Sequence, residues 1–242
     1  ADLPPWSPNP TPALATLSNL ALTATTFDRL RAPSSVVSAV VASMLTGLPP
    51  RAHTLTDLGA RLPQKVTTIG TIARDAGVQT AMFTGVPTTF APFGFATPWE
   101  RFVAHPPQSG AAATAPLDDA AAWIEEVLRD SPEARILAFI HARGAHPPWD
   151  VTPKELDSLP PADYAGSVEP RRGAQALAKA RRKGVAKSLV EADFERTQAL
   201  AALGLERQDR ALGRVIEALT TAGLWDDTLF ICLLYTSPSP RD

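Results

Sequence analysis

The chain has 242 residues, a formal net charge of −2 and 45% hydrophobic residues. That near-neutral balance argues against a general nucleic-acid binder, and no apolar run approaches the length of a membrane span. Its single cysteine is Cys232, so the chain before it has neither a disulfide nor a cysteine-based metal site.

In chain order, Thr11 to Leu20 reads as a short helix, with Leu14, Leu17 and Leu20 on one face. Ala21 to Phe27 leads through a strand or loop to Pro33–His53, PSSVVSAVVASMLTGLPPRAH. Ser34, Ser35 and Ser38 are candidate caps for a helix through the apolar run Ala39–Leu45, which Gly47 and Pro49-Pro50 end. Taken alone this segment is a core helix, although a helix start also favours anions. Thr67–Ala76 reads as a helix stopped by Gly77, and Val78–Phe83 as a strand. Helix followed by short strand points to a parallel sheet.

Val86–Phe102 is an aromatic-rich loop, whose rings either line a site or pack the loop onto the sheet. His105 sits in a small-residue loop, Ala104–Ala115, and reads as solvated. Pro116–Asp130 is a helix with Asp118 and Asp119 in its first turn. Ile136–Ile140 is a continuous apolar run, as a central parallel strand should be. His141 and His146 follow it, at the end of a strand where α/β sheets place ligands. Val151–Ala192 carries a basic run of Arg171, Arg172, Lys179, Arg181, Arg182, Lys183 and Lys187. That run is either a solvated face or a polyanion contact. Ala192–Ala222 reads as a long helix or helix pair closed by Gly223.

Several stretches together resemble the sulfatase family of the alkaline-phosphatase-like superfamily. Ser43, Leu45, Thr46, Gly47, Pro50 and His53 keep the end of its nucleophile segment, C/S-x-P-S-R…L-T-G…P-x-x-H. Counting back from Gly47 puts Val37 in the nucleophile place, with Ala39, Val40 and Val41 where the family has Pro, Ser and Arg. Thr11, Pro12 and Leu14 match part of T-P-N-L-D. The passage from Thr68 to Phe83 resembles the family's helix–strand unit. His141, His146, Pro148 and Trp149 match H-x-x-D-P-H-x-P-Y, and Tyr164 and Gly166 match Y-x-G. Asp209, Gly213, Leu219, Gly223, Asp227 and Thr228 match the pattern toward the far end.

The resemblance implies an α/β fold, mostly parallel sheet with helices on both faces, incomplete at both ends. One domain is expected over residues 1–231. Residues 232–242, CLLYTSPSPRD, resemble a translated sequencing adapter and are expected to be non-native, as in a metagenomic fragment. The family hydrolyses sulfate esters with a formylglycine nucleophile and Ca²⁺ or another divalent metal, commonly outside the cytoplasm.

Carried over residue by residue, the expected catalytic positions are Val37, a degenerate nucleophile, with Ser38 as its substitute, and His146 and His141. His53 is a substrate-binding candidate, and no residue is assigned to a metal. Valine has no lone pair to attack with, so the leading expectation is an inactive sulfatase-like domain. The alternatives are an active hydrolase or phosphoglycerol-type transferase using Ser38, or a polyanion-binding module. Partners would be sulfate- or phosphate-ester small molecules or sulfated glycans, with no nucleic acid.

Overall fold

The computed structural model describes residues 12–27, 29–175, 178 and 190–233. The chain divides into two compact units. One contains residues 27–106, 116–141 and 214–242, and the other residues 1–26, 107–115 and 142–213.

Among the described residues, the first of these units is built on a three-stranded, all-parallel sheet. Its strands are β1 (Gln79–Thr84), β2 (Arg101–Ala104) and β3 (Ile136–His141), in the order β2-β1-β3. Thr84 is paired with Ala104 on one side and His141 on the other, so the three strands finish level with one another. Successive side chains alternate between the two faces. Met82 and its partner Phe139 lie on the face that holds Ala39, Val41, Ala42 and Leu45 of helix α2 (Val37–Thr46). Phe83, on the other face, meets Trp123 of a later helix, Ala115–Asp130, with ring centroids 6.0 Å apart. Helices therefore cover both faces, which is why the core residues Ala81, Met82 and Phe83 are completely buried.

The local reasons for these elements are simple. Six of the ten residues of α2 are buried, so packing stabilises a helix that is apolar almost all round. It stops at Gly47, whose φ of 69° is left-handed and whose N–H bonds the Ser43 carbonyl at 2.8 Å. A one-turn helix, α3 (Pro50–His53), follows, and then α4 (Ile69–Asp75), capped by the Thr68 hydroxyl accepting from the Thr71 N–H. The Ala115–Asp130 helix is α5.

In the other unit, α1 (Ala15–Thr23) has no capping side chain of its own at Leu14. Asp209 supplies one from 193 residues away: its two carboxylate oxygens accept the Thr16 and Leu17 N–H groups, each at 2.9 Å. The short helix α6 (Pro153–Ser158) starts with a capping box between Thr152 and Glu155. Glu155 also pairs with Arg207 at 2.7 Å. Trp149, Val168 and Leu200 form a small core. Asp193 accepts from the Tyr164 hydroxyl and from the Ser167 and Val190 N–H groups. That clasp ties the Tyr164–Gly166 turn to the start of the long helix α7 (Glu191–Thr221), whose residues to Gly213 belong to this unit and the rest to the first.

Four expectations need correction. The run Ile136–Ile140 is not central: among the described residues β1 has a partner on each side, and β3 lies at the end of the order. All six β3 residues are half-buried, in keeping with that end position, whereas an apolar run in the sequence carries no record of lateral position. Strand β2 falls at the close of a stretch read as loop, since four residues are too few for alternation to show. The start of α2 is not capped by serine. Val36 occupies the cap position, and the Ser34 hydroxyl accepts the Val36 N–H at 3.0 Å instead. Helix α1 begins at Ala15, four residues after Thr11, where the Asp209 carboxylate meets it.

Candidate functional site

The level strand ends and α2 define one edge of the sheet unit. Val37 is the first residue of α2, and with Val36 it packs against the core cluster. Ser38 is 2% exposed. Ala39, Val40 and Val41, at the places of the family's Pro, Ser and Arg, are buried too. The segment that would present polar groups to an ester instead contributes its side chains to the core.

His53 ends α3 and is completely buried. The Leu55 N–H donates to its Nδ1 at 3.2 Å, so the proton is on Nε2, which lies 3.0 Å from the Ser43 hydroxyl. Burial is the main influence on this imidazole and lowers its pKa, outweighing contributions from backbone carbonyls of His53 and Ala39. Both ring nitrogens are therefore committed to holding the loop after α2 in place.

His141 is the last residue of β3, on the same face of the sheet as Phe139, Met82 and Thr84. Its Nδ1 lies 3.0 Å from the Thr89 hydroxyl, which is 2.7 Å from the Thr84 hydroxyl and 2.9 Å from the Val86 carbonyl. Thr84 and Thr89 are completely buried. Desolvation pushes the His141 pKa down to about 4, so the ring is neutral at pH 7. The turn Pro87–Thr89 that carries Thr89 packs against α2, which links the histidine to the nucleophile segment.

Sequence reading missed two groups. His105 follows β2 directly, and its N–H donates to the Thr84 carbonyl at 2.8 Å, extending the parallel pairing. Its side chain is only 13% exposed, and Nε2 is 3.2 Å from an Asp119 carboxylate oxygen. That separation is within ion-pair range, although the N–H is not aligned for a hydrogen bond. His105 is thus not a solvated loop residue, and recognising Arg101–Ala104 as a strand would have placed it at the sheet edge.

The second missed group is Arg143, in the other unit, buried to 5% exposure. It donates to the Pro148 carbonyl at 3.1 Å and stands 3.5 Å from Asp150, while Asp150 also accepts the Ala113 N–H. Burial lowers its pKa, and Asp150 works against that shift. In the same unit His146 borders a cavity of about 70 Å³ with Trp149, Asp150, Gly204 and Arg207. Of the basic run, Arg171 and Arg172 lie in an exposed turn, and Lys179 to Lys187 fall outside the described residues. A cavity of about 670 Å³ between α5 and the end of α7 contains none of the candidate residues.

No three His, Cys, Asp or Glu side chains converge on a common point among the described residues. A Ca²⁺ ion takes six to eight oxygen ligands. The edge instead has His105 with Asp119 on one side of β1 and His141 on the other, their strands two spacings, roughly 10 Å, apart. These donors do not fit the metal that the family generally uses, and no chemical step is routed through one.

The sulfatase family profile matches residues 4–233, nearly the whole chain. The chain belongs to the sulfatase family. Its backbone is similar to that of a phosphonate monoester hydrolase of Agrobacterium radiobacter, at a TM-score of 0.59 and 18% identity over 89% of this chain. A phosphonate monoester hydrolase from Silicibacter pomeroyi gives 0.59 at 19% identity over the same 89%, and a 2-O GAG sulfatase gives 0.57 at 14%, again over 89%. These likenesses establish the alkaline-phosphatase-like fold. This sulfatase-family chain spans about half of those structures: 56% of each hydrolase and 51% of the GAG sulfatase. No curated protein sequence matches it. No helix among its described residues is long and apolar enough to cross a membrane.

Proposed function

We propose that this chain is a sulfatase-type scaffold that has lost its nucleophile and does not itself turn over sulfate or phosphate esters. The observation that carries this reading is Val37, a partly buried alkyl side chain at the first position of α2 that packs against the core. An attacking group needs a lone pair and a base or electrostatic activation, and valine offers neither. The burial of Ser38 weighs against its substitution as nucleophile, because an ester could not reach it without moving the helix. Family members act on sulfate esters, and the ligand classes this scaffold would meet are sulfate- or phosphate-ester small molecules and sulfated glycans.

The test is hydrolysis of an aryl sulfate and an aryl phosphonate monoester by the purified chain, with and without added Ca²⁺. No turnover above the buffer rate is expected. Val37→Ser and Val37→Cys are expected to stay inactive, because nucleophile and metal stabilisation act as a unit and the described donors do not assemble the second. Metal-dependent hydrolysis that Ser38→Ala abolishes would overturn this reading in favour of an active enzyme.

A further inference from the structure

The hydrogen-bond chain behind His141 determines more than its position. Four polar contacts meet there: the Val86 N–H with the Thr84 hydroxyl at 3.1 Å, the two threonine hydroxyls at 2.7 Å, Thr89 with the Val86 carbonyl at 2.9 Å, and Thr89 with His141 Nδ1 at 3.0 Å. Each hydroxyl has one hydrogen to give and two lone pairs.

Suppose the Thr89 hydrogen goes to the Val86 carbonyl. Thr84 and the imidazole then both donate to the Thr89 oxygen, and all four contacts become hydrogen bonds. If instead the Thr89 hydrogen goes to Nδ1, the Val86 carbonyl loses its 2.9 Å bond from Thr89, and three of the four contacts remain hydrogen bonds. Thr89 is the only side-chain partner of His141 among the described residues. A buried network favours the arrangement that satisfies more of its members.

The geometry points to Thr89, backed by Thr84, as a positioning residue that holds His141 in the Nδ1–H tautomer and leaves the Nε2 lone pair free at the carboxyl edge of the sheet. This deepens the reading of that edge as the family's site and does not depend on turnover. The ligand class follows from the lone pair. A neutral Nε2 accepts a hydrogen bond from water or from the hydroxyl of an alcohol or sugar. A sulfate oxygen brings only lone pairs of its own and is repelled. Nor is a ring so reluctant to protonate a source of protons for a leaving oxygen near neutrality. His141 on this account faces the alcohol or water side of a bound ester.

Long-range ¹⁵N–¹H correlation spectra of the ¹⁵N-labelled chain at neutral pH read the tautomer directly, with the His141 signals assigned by their loss in His141→Gln. A protonated Nδ1 and an unprotonated Nε2 are expected. Thr89→Val, of nearly the same shape but with no hydroxyl, is expected to shift the ring toward Nε2–H, and Thr89→Ser to restore the wild-type pattern. Excess inorganic sulfate is expected to leave the ring signals in place. An Nε2–H tautomer in the wild-type chain would overturn the proposal even if Thr89→Val failed to fold. So would a folded Thr89→Val with an unchanged pattern, or a saturable sulfate-dependent shift. Because no outcome is a rate, an active chain would refute the proposed loss of function and leave this inference standing.

Discussion

His141 should make the fold sensitive to mild acid. Burial lowers its pKa from 6.5 to about 4, so the folded state refuses a proton that the unfolded chain accepts. The sign follows from that difference. The stabilisation is fully present above the unfolded pKa and is lost as pH falls toward the folded one. The loss in full amounts to about 3.4 kcal/mol, and at pH about 5 the same linkage gives about 2 kcal/mol, against almost nothing at pH about 7.5. His53, also lowered by burial, adds a loss of the same sign, so the His141 share must be isolated by difference. Urea unfolding of the wild-type chain and of His141→Gln, across that pH range and followed by circular dichroism, supplies it. Glutamine cannot titrate, so the variant should start less stable and lose about 2 kcal/mol less on acidification. Parallel pH profiles for the two proteins would refute the reasoning, since they would mean that His141 protonates alike in the folded and unfolded chain.

Three further outcomes are expected in the same unfolding assay. Asp209→Ala removes the two-pronged cap at the start of α1 and should cost about 1–2 kcal/mol, with Asp209→Asn recovering part of it. Gly94→Ala forces a β-carbon into the Leu62 carbonyl at a φ of 86°, and should destabilise by at least ~2 kcal/mol or abolish soluble expression. Phe83→Ala, in the middle of the sheet and against Trp123, should cost about 3–5 kcal/mol and weaken the near-ultraviolet signal of that tryptophan.

The sequence by itself determined the elements whose signal is local. A valine-rich run closed by Gly47 is a helix because packing and a left-handed stop agree there. Residues 79–84 and 136–141 are strands because short apolar runs of that kind suit a sheet covered on both faces. Motif order and spacing were enough for the family, and the absence of a lone pair on Val37 is visible in the letter itself. The tertiary structure alone decided how these pieces meet. Nothing local could say that β1 and not β3 is central, because lateral order depends on which strands pair across long separations. The cap on α1 comes from Asp209, far along the chain, and no window of residues contains both partners. The histidines show the same division most clearly. All are legible as candidate site residues or loop residues, yet their chemistry is a property of their surroundings. His53 is locked by Ser43 and Leu55, His105 sits beside Asp119, and His141 takes its tautomer from Thr89. A proton's place on an imidazole is set by what each nitrogen faces, and that is decided only when the chain has folded.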